Sequence, residues 1–230
     1  MPKLIEIMGP PGSGKSFISS QLELIEQNNE KIFFHSGNYN NRNYHLSLFS
    51  KFFIKLKVIF KIILFYMIFC KRIFLKKNYK GNFFFKVIFL FYKHHVYIEI
   101  YKKTLSPDKF LIMEPGPIMY FLQDYFYINN KVSSYEIKIY NKFFLHTDYI
   151  INLNCTSDLL IDRLKKRKRG LPLRMRGLND DNIKATIKRS SNLLNDYINS
   201  NNLKIKTINI NTSINISIIK DEILNFLNKR

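Results

Sequence analysis

The sequence predicts an α/β fold in which a parallel sheet carries helices on both faces. Three observations carry that reading. A complete glycine-rich phosphate loop stands near the N-terminus, short apolar runs alternate with helical stretches, and 230 residues suffice for one α/β domain with a helical insertion. The loop comes first in the chain. Gly9-Pro10-Pro11-Gly12-Ser13-Gly14-Lys15-Ser16 satisfies G-x-x-x-x-G-K-[ST], and it follows the apolar run Leu4-Ile5-Glu6-Ile7-Met8, which reads as a strand. After it, apolar residues at Phe17, Ile18, Leu22 and Ile25 keep helical spacing. Strand, loop and helix therefore arrive in the order a phosphate cradle needs: backbone N–H groups at a helix N-terminus facing closely spaced anionic oxygens. Gly9 to Ser16, with Phe17 in the first helical turn, are the candidate phosphate-binding residues. Lys15 would reach the β- and γ-phosphates of ATP, and the Ser16 hydroxyl would ligate the accompanying Mg²⁺.

Further strands are predicted over Lys31 to His35, Lys109 to Met113, Tyr149 to Leu153 and Leu203 to Ile210, each short, apolar and followed by polar or turn residues. Helices are predicted over Ser16 to Gln27, Ile118 to Asn129, Ser133 to Leu145, Ser157 to Lys168, Asp180 to Asn199 and Ile216 to Asn228. Two insertion helices fall between Asn43 and Lys103, divided by the turn signal Asn78-Tyr79-Lys80-Gly81-Asn82.

The formal net charge is +20, and much of it lies in the insertion. Between Gly37 and Thr104 there are fourteen Lys and Arg, Arg42 among them, and a single acid, Glu99. Such a field draws anionic substrates, nucleic acid or an anionic bilayer surface, although a chain this rich in Lys, Asn, Ile and Phe also fits the product of an AT-rich genome. The longest uncharged run there, Ile62 to Cys70, is well short of the ~20 residues a spanning helix requires. Apolar residues occur all round this helix, the pattern of one packed inside a protein or against a partner. Peripheral contact with an anionic membrane through residues 49–77, with lysines snorkelling, stays open beside that reading. Cys70 and Cys155 are isolated from each other and from ligand-spaced histidines, which argues against a disulfide framework or a zinc site. Residues 1 to 8 run straight into the phosphate loop without the signature of a signal peptide, so a reducing, cytoplasmic setting is expected.

Two more clusters carry chemistry. Glu114 ends the third predicted strand, ahead of Pro115-Gly116-Pro117, and ligands of open α/β sheets sit beyond the carboxyl ends of strands. A carboxylate there can hold Mg²⁺ or accept a proton from an attacking hydroxyl, and both roles stay open. The second cluster runs from Asp162 to Arg189. Arg163, Arg167, Arg174 and Arg189 are candidates to stabilise a transferring phosphoryl group, and residues 165–180, punctuated by Gly170, Pro172 and Gly177, read as an arginine-rich lid. No base-reading or RNA-stacking module is recognisable, so a nucleic-acid arm ranks below the lid.

These residues resemble the P-loop kinases of nucleoside monophosphates and related small molecules, such as thymidylate and adenylate kinases. The resemblance rests on Gly9 to Ser16, Glu114, Arg163 and Arg167, and Asp180-Asp181 with Arg189 beyond them. It implies a three-layer P-loop NTPase fold with a five-stranded parallel sheet in the order 2-3-1-4-5. It also implies an acceptor-binding helical insertion between strands 2 and 3, spanning 38–104, within a single domain. Asn209 to Ser213 resemble the loop that holds adenine, which makes Asn211 a cofactor-binding candidate. The chain departs from the pattern at Pro115, where thymidylate kinases carry Arg after their acid, and at Leu178, where adenylate kinases carry Arg. Motif and resemblance together predict a Mg²⁺-dependent ATP phosphotransferase acting on a nucleoside monophosphate or nucleoside. A sugar or cell-envelope acceptor, or an ATP-hydrolysing switch docked on a membrane or partner, remains the alternative. Oligomeric state is not legible.

Overall fold

The computed structural model describes residues 2–25, 33–35, 46–73, 81–107, 109–128, 133–144, 146–167, 170–172, 175–200 and 205–228. In chain order the elements are β1 (Lys3–Met8), α1 (Lys15–Ile25), β2 (Phe33–His35), α2 (Leu48–Ile73), α3 (Gly81–Thr104), β3 (Phe110–Met113) and α4 (Pro117–Ile128). They continue with α5 (Ser134–Phe144), β4 (Tyr149–Asn154), α6 (Ser157–Lys165), α7 (Asp180–Ser200), β5 (Lys206–Asn211) and α8 (Ile216–Asn228). The α/β class and the parallel sheet are present, with five strands in the order β2-β3-β1-β4-β5. Leu4 pairs with Leu111 of β3, Ile7 with Ile151 of β4, and Ile151 with Ile208 of β5. Arg42, Arg174 and the predicted turn as far as Lys80 lie outside the described residues; Gly81 and Asn82, read as the end of that turn, instead open α3.

The central strand is buried on both faces, as a covered parallel sheet requires. Alternation then assigns each side chain to a layer. Ile5 and Ile7 of β1 pack with Ile18 and Leu22 of α1 and Ile219, Ile223 and Leu227 of α8. Leu4 faces the other way with Ile98 and Tyr101 of α3, and Met8 joins the larger core that α2, α3, α4, α5 and α7 build. Glu6 falls on this second face, fully buried.

The two insertion helices belong to that larger core. On α2, Ile54, Val58, Ile62 and Phe65 recur at helical spacing and are buried. Phe65 is the anchor: its ring lies 5.1 Å from that of Phe144 and 6.0 Å from that of Phe91, centroid to centroid. Phe121 and Tyr140 stack beside it at 4.2 Å. The apolar residues all round α2 thus divide into two faces. One packs on the core, while Leu48, Phe49, Phe52, Phe53, Leu56 and Phe60 stand at the surface.

This division is testable. Phe65→Ala leaves a cavity in an aromatic cluster and is expected to cost about 3–5 kcal/mol of stability. Phe60→Ala, at a side chain 64% exposed, is expected to stay within about 0.5 kcal/mol. Urea denaturation of the two variants checks the contrast.

Candidate active site

The phosphate loop joins β1 to α1 in a backbone path that L side chains cannot follow. Gly12 has φ +86°, and a Cβ there would stand 2.9 Å from the Leu160 carbonyl oxygen of α6. Gly14 has φ +90° with open space beside it, so only conformation demands glycine, and the open side is where a ligand approaches. The Ser13 amide donates to the Pro10 carbonyl at 3.2 Å, and the Ile18 amide to the Gly14 carbonyl at 2.9 Å, which starts α1. The first amides of a helix have no intrahelical acceptor, and here they open on the loop. Lys15 Nζ donates to the Gly9 and Pro10 carbonyls at 2.8 and 2.9 Å, curled over its own loop.

The loop forms one end of a cleft of about 650 Å³. Glu114 and Pro115 reach it from the end of β3, Met119 and Leu122 from α4, and Ser190, Leu193 and Leu194 from α7. Arg163 and Arg167 come from α6 and its end, Thr212 and Ile214 from the β5–α8 loop, and Ile216 from the start of α8. Glu114, half-buried, thus shares one cavity with Lys15 and Ser16.

The arginines divide. Arg163 Nη1 and Nη2 donate to Thr212 Oγ1 at 3.0 Å and Thr212 O at 2.7 Å, so this guanidinium ties α6 to the β5–α8 loop. Arg167 lines the cleft from an exposed position. Arg189 is exposed on α7 one residue before Ser190 and is not among the cleft-lining residues. Asn211 turns back on its own loop, where Oδ1 accepts from the Ser213 amide at 3.0 Å and hydroxyl at 2.7 Å. Its neighbour Thr212 is the one that faces the cleft. Within 165–180, Met175 is buried among Leu160, Leu164, Ile183 and Ile187, and Lys165 Nζ meets Asp180 Oδ2 at 2.6 Å across the base of the segment.

Sequence reasoning passed over Glu6. Its Oε1 accepts from the Met119 amide at 2.9 Å and its Oε2 from the Ile118 amide at 3.2 Å, so a side chain of β1 caps the first turn of α4. The Thr147 hydroxyl donates to Oε2 at 3.3 Å. Gly116 is required for this approach, because a Cβ there would collide with the Glu6 carboxyl. The segment holding Glu114 is thereby clamped between β3 and a capped helix. The signal was present: a lone acid within Leu4-Ile5-Glu6-Ile7-Met8, a strand buried on both faces, has to find buried partners. Met119, Leu122, Leu193 and Leu194 were also missed, since helical periodicity marks a buried face and not which part of it borders a cavity.

The donor set suits Mg²⁺. Among the described residues no group of three or more His, Cys, Asp or Glu could hold a metal. What the cleft offers is hard oxygen, the Ser16 hydroxyl and the Glu114 carboxylate, and Mg²⁺ is ordinarily held by one or two such groups plus substrate phosphates.

No family model and no curated protein matches the sequence. Solved structures do resemble it. The deoxyadenosine kinase from M. mycoides with bound dATP aligns over 99% of this chain and 100% of its own, at 17% identity and a TM-score of 0.53. The same kinase with products dCMP and a flexible dCDP aligns over the same shares at 17% identity and a TM-score of 0.57. At this identity the likeness is one of fold: the chain shares the α/β fold of these deoxyadenosine kinase structures.

Burial pushes the Glu6 carboxyl up to about 8 from 4.5, against the pull of the two α4 amides and Thr147. A carboxyl whose pKa is raised on folding binds its proton more tightly in the native state. Its contribution is complete below pH 4.5 and is lost progressively up to pH 8. The stability of the wild type relative to Glu6→Gln, which does not titrate, is therefore expected to fall across that window and level off above it, as read by melting temperature against pH.

Proposed function

We propose that this chain is a nucleoside kinase, transferring the γ-phosphoryl group of Mg-ATP to a hydroxyl of a nucleoside or deoxynucleoside. One observation carries the reading: the phosphate loop and Glu114 open on a single cleft that has apolar walls on both sides. Met119, Leu122, Leu193 and Leu194 wall the cleft from the helical layer, and Ile216 and Ile219 wall it from the α1–α8 side. A flat base with apolar faces suits such walls. The fold of the deoxyadenosine kinases, whose solved structures hold dATP, dCTP or dCMP, supports the same class of substrate.

In this mechanism the amides of Gly12 to Ser16 and Lys15 hold the β- and γ-phosphates, while Ser16 would hold a Mg²⁺ whose charge would offset theirs, leaving Glu114 free as the base. The acceptor hydroxyl lies along the Glu114 side of the cleft. Its oxygen attacks the γ-phosphorus in line, the bond to the β-bridging oxygen breaks, ADP leaves, and Glu114 takes the hydroxyl proton. Arg167 supplies positive charge from the side opposite Glu114, and Arg163 keeps the β5–α8 loop in place for the donor base.

A nucleoside is preferred to a nucleoside monophosphate because the solved structures of like fold are of a deoxyadenosine kinase. Among the described residues lining the cleft the cations are Lys15, Arg163 and Arg167.

ADP production by the purified protein with Mg-ATP checks this. Stimulation by one or more deoxynucleosides or nucleosides, and not by their monophosphates, is expected; acceptor-independent hydrolysis alone, or stimulation only by sugars, would refute the reading. Lys15→Ala and Glu114→Gln are each expected to lower kcat by at least about 10²-fold with an unchanged melting transition.

A further inference from the structure

The outward face of α2 is a continuous apolar surface. Leu48, Phe49, Phe52, Phe53, Leu56, Ile59, Phe60 and Ile63 are all exposed, from 43% for Ile59 to 85% for Leu48. At roughly 100° per residue they occupy a sector about 140° wide, opposite the buried row Ile54, Val58, Ile62 and Phe65. The stripe is about 23 Å long by the helical rise. A continuous exposed stripe of large side chains, five of them aromatic or leucine within the first nine positions, is beyond the scattered apolar exposure of an ordinary surface.

Lysines border the sector on both sides. By the same helical angles Lys55 stands about 20° outside one edge and Lys57 about 40° outside the other, with Lys51 and Lys61 farther round toward the buried row. No acid occurs anywhere on α2. The single acid of the insertion, Glu99 on α3, faces the second edge, 3.7 Å from Lys57 and 3.6 Å from Lys61.

This arrangement decides between occupants. In a two-fold interface with a second copy, the two α2 stripes would meet and bring the four lysines of each close together, with Glu99 alone on each side to offset them. A surface bearing many negative charges matches both borders at once. Apolar side chains then enter the acyl boundary while the lysine stems run along them and carry the ammonium groups to the headgroups. Among the described residues no helix is long and apolar enough to cross a membrane, and the stripe is instead that of a helix lying in the interface plane.

We propose that α2 docks this protein on an anionic lipid bilayer, with its exposed apolar side chains between Leu48 and Ile63 inserted and Lys51, Lys55 and Lys57 at the headgroups. The core-facing row keeps α2 packed on α3 and α5 in the docked state, so docking needs no unfolding of the insertion.

The test is flotation of the full chain with vesicles of phosphatidylcholine alone or with about one-third phosphatidylglycerol, at low and high salt. Recovery with the anionic vesicles, lost on raising the salt, is expected. Phe52→Ser/Phe60→Ser should weaken partition at least about tenfold. Lys51→Gln/Lys55→Gln should weaken it on the order of fivefold or more. ADP production and melting temperature should be retained in both, because neither pair touches the cleft or the core. Absence of recovery with either vesicle, or equal recovery with neutral vesicles, overturns the proposal. So does a dimer in sedimentation that Phe52→Ser/Phe60→Ser dissociates while vesicles recover nothing.

Discussion

Everything at the site depends on one constraint, that the phosphate-loop backbone be held in left-handed conformations while wedged between two other elements. A Cβ on Gly9 would stand 2.8 Å from the Leu153 carbonyl oxygen of β4, and one on Gly12 would stand 2.9 Å from that of Leu160 of α6. The loop is therefore pressed against the strand and helix that follow it in the sheet, and it cannot relax toward either. Its amides are thereby oriented by the fold itself, which is the preorganisation that the proposed phosphate binding requires. The position of α6 in turn sets Arg163, and Arg163 sets Thr212 and the loop that closes the cleft.

The other side of the cleft is organised by burial of a carboxyl. Glu6 leaves β1 on the face opposite α1 and caps α4, whose first turn carries Met119 into the cavity and holds the chain just after Glu114. One strand thus governs both halves: its C-terminal end leads into the glycine-rich loop, and its one acidic side chain fixes the chain that follows Glu114. A carboxyl buried this deeply is costly unless its partners are in place, and the absence of a side chain at Gly116 is what admits them.

The parts that were legible follow from local chemistry. The strand–loop–helix order around Gly9 to Ser16 announces itself through glycines at fixed spacing, and β1 and β4 through short apolar runs, observed at Lys3–Met8 and Tyr149–Asn154. Helix α8 has the predicted bounds, Ile216–Asn228. What was not legible depends on long-range packing. The apolar residues all round α2 gave no stripe, because one face is occupied by Phe91, Phe121, Tyr140 and Phe144 from sequence-distant helices, and the other by none of them. Asn211 read as a ligand contact because its side-chain bond to Ser213 is a matter of loop geometry. Arg163 and Arg189 look alike in sequence, yet only Arg163 borders the cleft, since its position on α6 points it at Thr212.

The central claim is that donor and acceptor occupy one cavity between the phosphate loop and Glu114. Calorimetric titration with a bisubstrate compound, adenosine and a deoxynucleoside joined through a polyphosphate, tests it most directly. The account predicts one molecule bound per chain, with affinity lost when either a non-hydrolysable ATP analogue or the free deoxynucleoside is present at saturation. Binding that the ATP analogue abolishes while the deoxynucleoside leaves it unchanged would place the acceptor elsewhere and contradict the account.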